Sequence, residues 1–204
     1  MAAADAAPPR LFLIRHGETE WSLSGQHTGS TDIALTQRGE EEARALGRDL
    51  AEVRFARVFA SPRLRARRTA ELAGLGVAAI EPDLAEWNYG DYEGLLSRDI
   101  WKARPGWDIF RDGCPGGETP DEVGSRADRL IGRLRQESGD IALVSHGHFS
   151  RVLTMRWIGL PVAAGRSLAT RTASLAILTR ETSALAAPVV AVWNHTAAGR
   201  GFGR

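Results

Sequence analysis

Two histidines in this chain each follow an apolar run of strand length and precede a glycine. Leu11-Phe12-Leu13-Ile14 leads into Arg15-His16-Gly17, and Ile141-Ala142-Leu143-Val144 leads into Ser145-His146-Gly147. Glycine lets the backbone turn sharply where a strand ends. If both runs are strands of one parallel sheet, both imidazoles emerge at its carboxyl edge, where open α/β sheets bind ligands. Arg15 precedes the first histidine, and Ser61-Pro62-Arg63-Leu64-Arg65-Ala66-Arg67-Arg68-Thr69 sets further arginines at the start of a helix. Backbone N–H groups and the helix dipole favour anions at such a terminus. Glu86 stands in the aromatic segment Leu84-Ala85-Glu86-Trp87-Asn88-Tyr89-Gly90-Asp91-Tyr92-Glu93-Gly94. Partial desolvation there favours the protonated form that a general acid needs. Two histidines, two arginines and one carboxylate supply the parts of an anion cradle with a nucleophile and an acid.

The elements that must carry these residues alternate along the chain. Residues 10–15 read as a doubly buried strand and 17–33 as a polar, Gly-rich loop of functional length. Thr36 caps a helix that tolerates Gly39 early and uses Ala43, Leu46 and Leu50 as its apolar stripe. A short strand over 58–60 stops at Ser61-Pro62, a helix covers 63–72, and 78–80 reads as a third strand. Residues 86–94 are irregular, 96–103 form a short helix, and 105–120 read as a loop rich in Gly, Pro and Trp. A helix over 121–137 turns Val123, Ala127, Leu130 and Leu134 inward. Residues 141–144 are the fourth strand, 149–157 the helix after it, and 172–179 with 188–193 a terminal antiparallel pair. Strands alternating with helical patterns predict an α/β fold: a three-layer sandwich with a mostly parallel central sheet, helices on both faces and an antiparallel edge strand. Residues 1–9 read as a disordered lead-in, 10–195 as a single domain and 196–204 as a flexible tail.

The bulk composition narrows the chemistry. A chain of 204 residues suits one domain, and a net charge of +1 points to neither nucleic acid nor a membrane as partner. Cys114 is the only cysteine, so no intrachain disulfide forms. The opening residues lack the basic and apolar regions of a secretory signal, and no apolar run reaches membrane-spanning length. A cytoplasmic location is the expectation. Of 26 basic residues only Lys102 is lysine, so anion contacts fall to arginine and its planar fork. Lys102 lies outside any Gly-rich loop, which removes the P-loop reading. Gly74-Leu75-Gly76 lacks a third glycine and follows a helix, which removes the dinucleotide fingerprint. Pro120 stands where a cysteine-based phosphatase would hold its arginine. His146 and His148 lack neighbouring carboxylates on a matching strand end, so no metal is expected.

Arg15-His16-Gly17-Glu18-Thr19, Ser61-Pro62-x-x-Arg65-Ala66-x-x-Thr69, Glu86 and Ser145-His146-Gly147, in this order, resemble the histidine phosphatase (phosphoglycerate mutase-like) superfamily. The resemblance runs from about Leu11 to Thr179. Segments 25–32, 86–94 and 145–151 look closest to its phosphatase branch, in the acid phosphatase and sugar-bisphosphatase subgroup. The resemblance implies a hydrolase of small phosphorylated metabolites, sugar phosphates or glycolytic acids, that needs no cofactor. His16 would carry the phosphoryl group as a phosphohistidine, its other ring nitrogen donating to a backbone carbonyl, that of Gly17. Arg15, Arg65 and His146 would surround the transferring oxygens, and Glu86 would act as acid and then base. Ser22 and Thr28 would contact phosphate, His27 and Tyr89 would face the organic part, and Gly147 would belong to the substrate-binding set. Arg126 would belong to the substrate-binding set as a support.

Some positions depart from the mutases of the family. Trp87 stands where they place an arginine after the acid, and 101–120 is short for their substrate-binding insertion. Asp91 and Glu93 disfavour a second phosphate and suit a sugar hydroxyl, while Arg63, Arg67 and Arg68 could grip a second anion. Phosphoglycerate mutase activity and a non-catalytic phospho-ligand-binding module remain the alternatives. The terminal strands and six tryptophans leave room for a homodimer interface.

Overall fold

Burial on both sides selects the central strands. The computed structural model describes residues 9–181 and 185–197. Residues 1–8 of the 1–9 lead-in and 198–204 of the 196–204 tail lie outside them. β1 (Arg10–Arg15) alternates Leu11 and Leu13 into one core and Phe12 and Ile14 into the other. β4 (Asp140–Ser145) does the same with Ile141 and Leu143 against Ala142 and Val144. A strand buried on both faces must be apolar throughout, which is why both runs lack alternation. β2 (Phe55–Ala60), β3 (Ala79–Ile80), β5 (Leu175–Arg180) and β6 (Pro188–His195) complete a six-stranded sheet in the order β3-β2-β4-β1-β5-β6. The first four strands are parallel; β5 runs antiparallel to β1 and β6 antiparallel to β5.

The helices are α1 (Glu20–Ser24), α2 (Gln37–Asp49), α3 (Leu64–Leu72), α4 (Ser97–Ala103), α5 (Ile109–Asp112), α6 (Pro120–Leu134) and α7 (Gly147–Trp157). α2 and α3 cover one face of the sheet through Leu46, Ala66 and Ala70, and α6 and α7 cover the other through Val123, Leu130, Phe149 and Leu153. α6 begins with a capping box, Thr119 with Glu122, and Pro120 in its first turn. Two loops of the sequence reading contain short helices. Thr19 and Ser22 form a capping box that starts α1, and Asp108 caps α5. Such local hydrogen bonds need no apolar periodicity, so the pattern does not reveal them. Among the described residues no helix is long and apolar enough to cross a membrane.

The register of β1 with β4 decides what lies at the sheet's carboxyl edge. Arg15 pairs with Ser145, and the His16 N–H donates to the Ser145 carbonyl at 3.0 Å. His16 and His146 therefore leave neighbouring strands at the same level. Beyond His16 the chain crosses the first turn of α2 in backbone contact. A Cβ at Gly17 would collide with the Gly39 carbonyl, and one at Gly39 with the Glu18 carbonyl. Gly39 is thus required, not merely tolerated. The Gly17 N–H also donates to Thr69 Oγ1 at 3.1 Å, tying the loop to α3.

Alanine normally stabilises a helix interior relative to glycine by about 1 kcal/mol. Gly39→Ala should reverse that sign and destabilise the protein by about 1–3 kcal/mol, the range for overpacking. The midpoint of urea unfolding reads this directly. A midpoint equal to or above wild type would disprove the close crossing.

Candidate active site

The parallel register brings the His16 and His146 rings to 5.2 Å between centroids, edge on at 64°. His16 Nδ1 lies 2.7 Å from the Gly17 carbonyl. A carbonyl only accepts, so the ring proton is on Nδ1 and Nε2 carries the lone pair. Nε2 has no partner among the described residues. The Arg63 N–H donates to Ser61 Oγ at 3.3 Å, and Ser61 Oγ is 2.7 Å from His146 Nε2. The Ser61 hydroxyl has lone pairs for the Arg63 N–H and a proton that can face the ring, and the second His146 nitrogen is Nδ1. That nitrogen is buried without a partner. Burial, reinforced by Arg65 and Arg15, holds the His16 pKa well below 6.5. Burial, Arg65 and His16 do the same to His146.

Among the described residues neither arginine forms an ion pair with a carboxylate. Arg15 donates Nη1 to the Thr170 carbonyl at 2.7 Å. Arg65 is fully buried and donates to the carbonyls of Thr31 and Thr28 at 2.9 Å and of Gly29 at 3.2 Å. The Nε of each is buried without a partner. The loop that supplies those carbonyls is held by Glu93, which accepts from the Gly29 and Thr31 N–H groups at 2.9 Å. The Glu86 carboxylate sits on the N-terminus of α7. It accepts from the Trp87 and Phe149 N–H groups at 2.8 Å and from the His148 N–H at 3.0 Å.

Above this base opens a cavity of about 440 Å³ lined by Arg15, His16, Ser22, His27, Thr28, Glu86, Tyr89 and Gly147. Arg65 and His146 are fully buried and lie outside its lining. The Ser22 hydroxyl is engaged with Thr19, and Thr28 Oγ1 donates to the Gln26 carbonyl at 3.2 Å. His27 stacks on Tyr89 at 4.7 Å and meets Ser97 Oγ through Nε2 at 3.2 Å. Burial lowers the His27 pKa to about 4. The Tyr89 hydroxyl lies 2.6 Å from His148 Nδ1.

Several expectations need correction. Arg126 does not line the cavity. It pairs with Glu118 at 2.8 Å and donates to the Asp83 and Ala85 carbonyls, so it braces the segment leading to Glu86. Glu93 is used by the loop described above, and Asp91 lies outside the lining, so neither meets a sugar hydroxyl there. Trp87 needs no such correction: it is fully buried with its indole donating to the Glu118 carbonyl, and offers no cation where the mutases place an arginine. Arg68 pairs with Glu40 and Glu71, and Arg63 and Arg67 are also outside the lining. Sequence reasoning missed His148 and Arg151, which do line the cavity. For Arg151 the available signal was its spacing from Gly147 on α7, since residues four apart share a helix face; for His148, next to Gly147, no such spacing existed. Among the described residues no group of three or more His, Cys, Asp or Glu is arranged to hold a metal ion.

A mostly parallel sheet sets His16, Arg15 and Glu86 in the lining of one cavity, with Arg65 and His146 buried outside that lining. The sequence profile of the histidine phosphatase superfamily (branch 1) matches residues 11–196, and the chain belongs to that superfamily. It is 45% identical over 172 residues to an acid phosphatase of Mycobacterium tuberculosis, covering 82% of this chain and 85% of that protein. It is 38% identical over 188 residues to a sedoheptulose 1,7-bisphosphatase of Saccharomyces cerevisiae, covering 76% and 69%. The solved structure of a Mycobacterium tuberculosis open reading frame matches with a TM-score of 0.87 and 41% identity, over 92% of this chain and 98% of that one. The protein is a phosphatase.

The buried histidines set a pH dependence. Unfolded imidazoles take up protons below about pH 6.5, whereas the folded rings of His16, His146 and His148 stay neutral. The unfolded state then binds more protons, so stability falls as pH drops below 6.5, by up to about 1.4 kcal/mol per pH unit for each ring. Urea unfolding at successive pH values should show the decline, and NMR should show the His16 and His146 rings unprotonated at pH 5.5. Ring resonances that titrate near 6.5 would refute the burial argument.

Proposed function

We propose that the protein hydrolyses small phosphomonoesters through a covalent phosphohistidine on His16. The observation that carries this reading is the tautomer of His16, whose free Nε2 stands beside a base of buried donors without partners. A phosphoryl group offers several charged oxygens to such donors. In the first step the Nε2 lone pair attacks phosphorus and the P–O bond to the leaving group breaks. Glu86 gives that oxygen its proton. Arg15, Arg65 and His146 stabilise the charge spread over the non-bridging oxygens. In the second step water attacks phosphorus, Glu86 takes its proton, the N–P bond breaks and neutral His16 is restored. The low pKa of His16 favours the nucleophile over the imidazolium. Because the positive field comes from side chains, the reaction is proposed to run without a metal ion. The substrate class is a small phosphorylated metabolite, in line with the sugar bisphosphate named for the yeast relative.

Purified protein should release nitrophenol from p-nitrophenyl phosphate at an unchanged rate with EDTA present, and His16→Ala should abolish it. Phosphate-labelled substrate should leave an acid-labile adduct on wild type. Glu86→Gln should slow alkyl phosphates by about 10²–10⁴-fold, the usual share of a general acid. It should slow release of nitrophenolate less, because that group leaves without a proton. A His16→Ala variant as active as wild type would defeat the mechanism, and tight phosphate binding without turnover of any ester would favour a binding module.

A further inference from the structure

The cavity above His16 continues past its far wall. His27, Ser97, His148 and Arg151 also line a neighbouring cavity of about 400 Å³ whose other side includes Trp101, Trp107 and Phe110. The Trp101 indole N–H donates to the Trp107 carbonyl and that of Trp107 to the Gly113 carbonyl, each at 2.8 Å. These rings therefore present carbon to the cavity and cannot donate to a ligand. Its charged groups are Asp108, Arg166 and Arg151. Arg166 is already paired with Asp108 at 3.2 Å.

Arg151 is not paired. Its Nε donates to the Gly165 carbonyl at 2.8 Å and its Nη2 to the Arg166 carbonyl at 3.0 Å. The guanidinium lies over the Phe110 ring, 4.3 Å from its centre. Among the described residues no carboxylate forms an ion pair with it. Glu86 and Asp108 act on it only at a distance, Asp108 being paired with Arg166, so two carbonyls and a ring face fix the group with its charge open to an anion. Arg15 stands at the nucleophile and Arg151 at the junction of the two cavities, so an extended ligand meets two separate cations.

We propose that Arg151 is a specificity-determining residue that binds a second anionic group, carboxylate or phosphate, on the organic part of the substrate. The inference rests on the phosphatase reading, with the reacting phosphoryl group at His16.

The test compares kcat/KM for 3-phosphoglycerate and fructose 1,6-bisphosphate with kcat/KM for phenyl phosphate, whose leaving group has no second charge. In Arg151→Met the ratio of anionic to neutral substrate should fall about 10- to 100-fold, mainly through KM, the loss expected for a charge-assisted hydrogen bond. Arg151→Lys should fall between the two. Ser97→Asp adds a carboxylate across the same junction with Arg151 intact, and should lower the ratio severalfold even if Arg151→Met does not fold. A larger fall for one of the two anionic esters identifies carboxylate or phosphate as the group bound. Turnover of phenyl phosphate with the ratio unchanged in these variants would overturn the role of Arg151 alone. Turnover of none of the three esters by wild type would overturn the phosphatase reading with it.

Discussion

The parallel pairing of β1 with β4 is the constraint on which the site depends. It is enforced by apolar residues on both faces of both strands, because a slip of one position would exchange the two cores. With Arg15 opposite Ser145, the next residue on each strand is a histidine, and the sheet ends there. The same burial that sets the register desolvates the rings and keeps them neutral. Stability of the sheet and nucleophilicity of the site therefore have one physical source.

Arginine is used in two ways. On the surface Arg10, Arg44 and Arg156 pair with Asp140, Glu40 and Asp128, where exposed ion pairs contribute little. Around the cavity Arg15, Arg65 and Arg151 donate to backbone carbonyls instead. A carbonyl satisfies a guanidinium N–H without cancelling its charge, so the field remains available to an anion. Glu86, the carboxylate in the cavity's lining, accepts from three backbone N–H groups and forms no ion pair with these arginines among the described residues, although its charge is felt by all three.

The order and type of the main elements were legible in the chain because continuous apolar runs mark doubly buried strands and a period of 3.6 marks helices that cover them. His16, Arg15, Arg65, Glu86 and His146 were legible as residue types at strand and helix ends. The short helices at Glu20–Ser24 and Ile109–Asp112 were not, since their formation rests on side-chain caps. Arg126 and Glu93 were misplaced because nothing local records which distant group a side chain will meet: Arg126 turns from α6 to Glu118, and Glu93 to the backbone of residues 29 and 31.

The order of residues by itself dictated that two histidines would end two buried strands, because hydrophobic burial and glycine geometry are local and near-local properties. Which donors were left unpaired, that Arg151 would be held by carbonyls while Arg166 was neutralised, and that Gly39 would have to lack a side chain all emerged from packing. Those outcomes depend on residues far apart in the chain meeting at distances of a few ångströms, and one-dimensional spacing carries no record of such meetings.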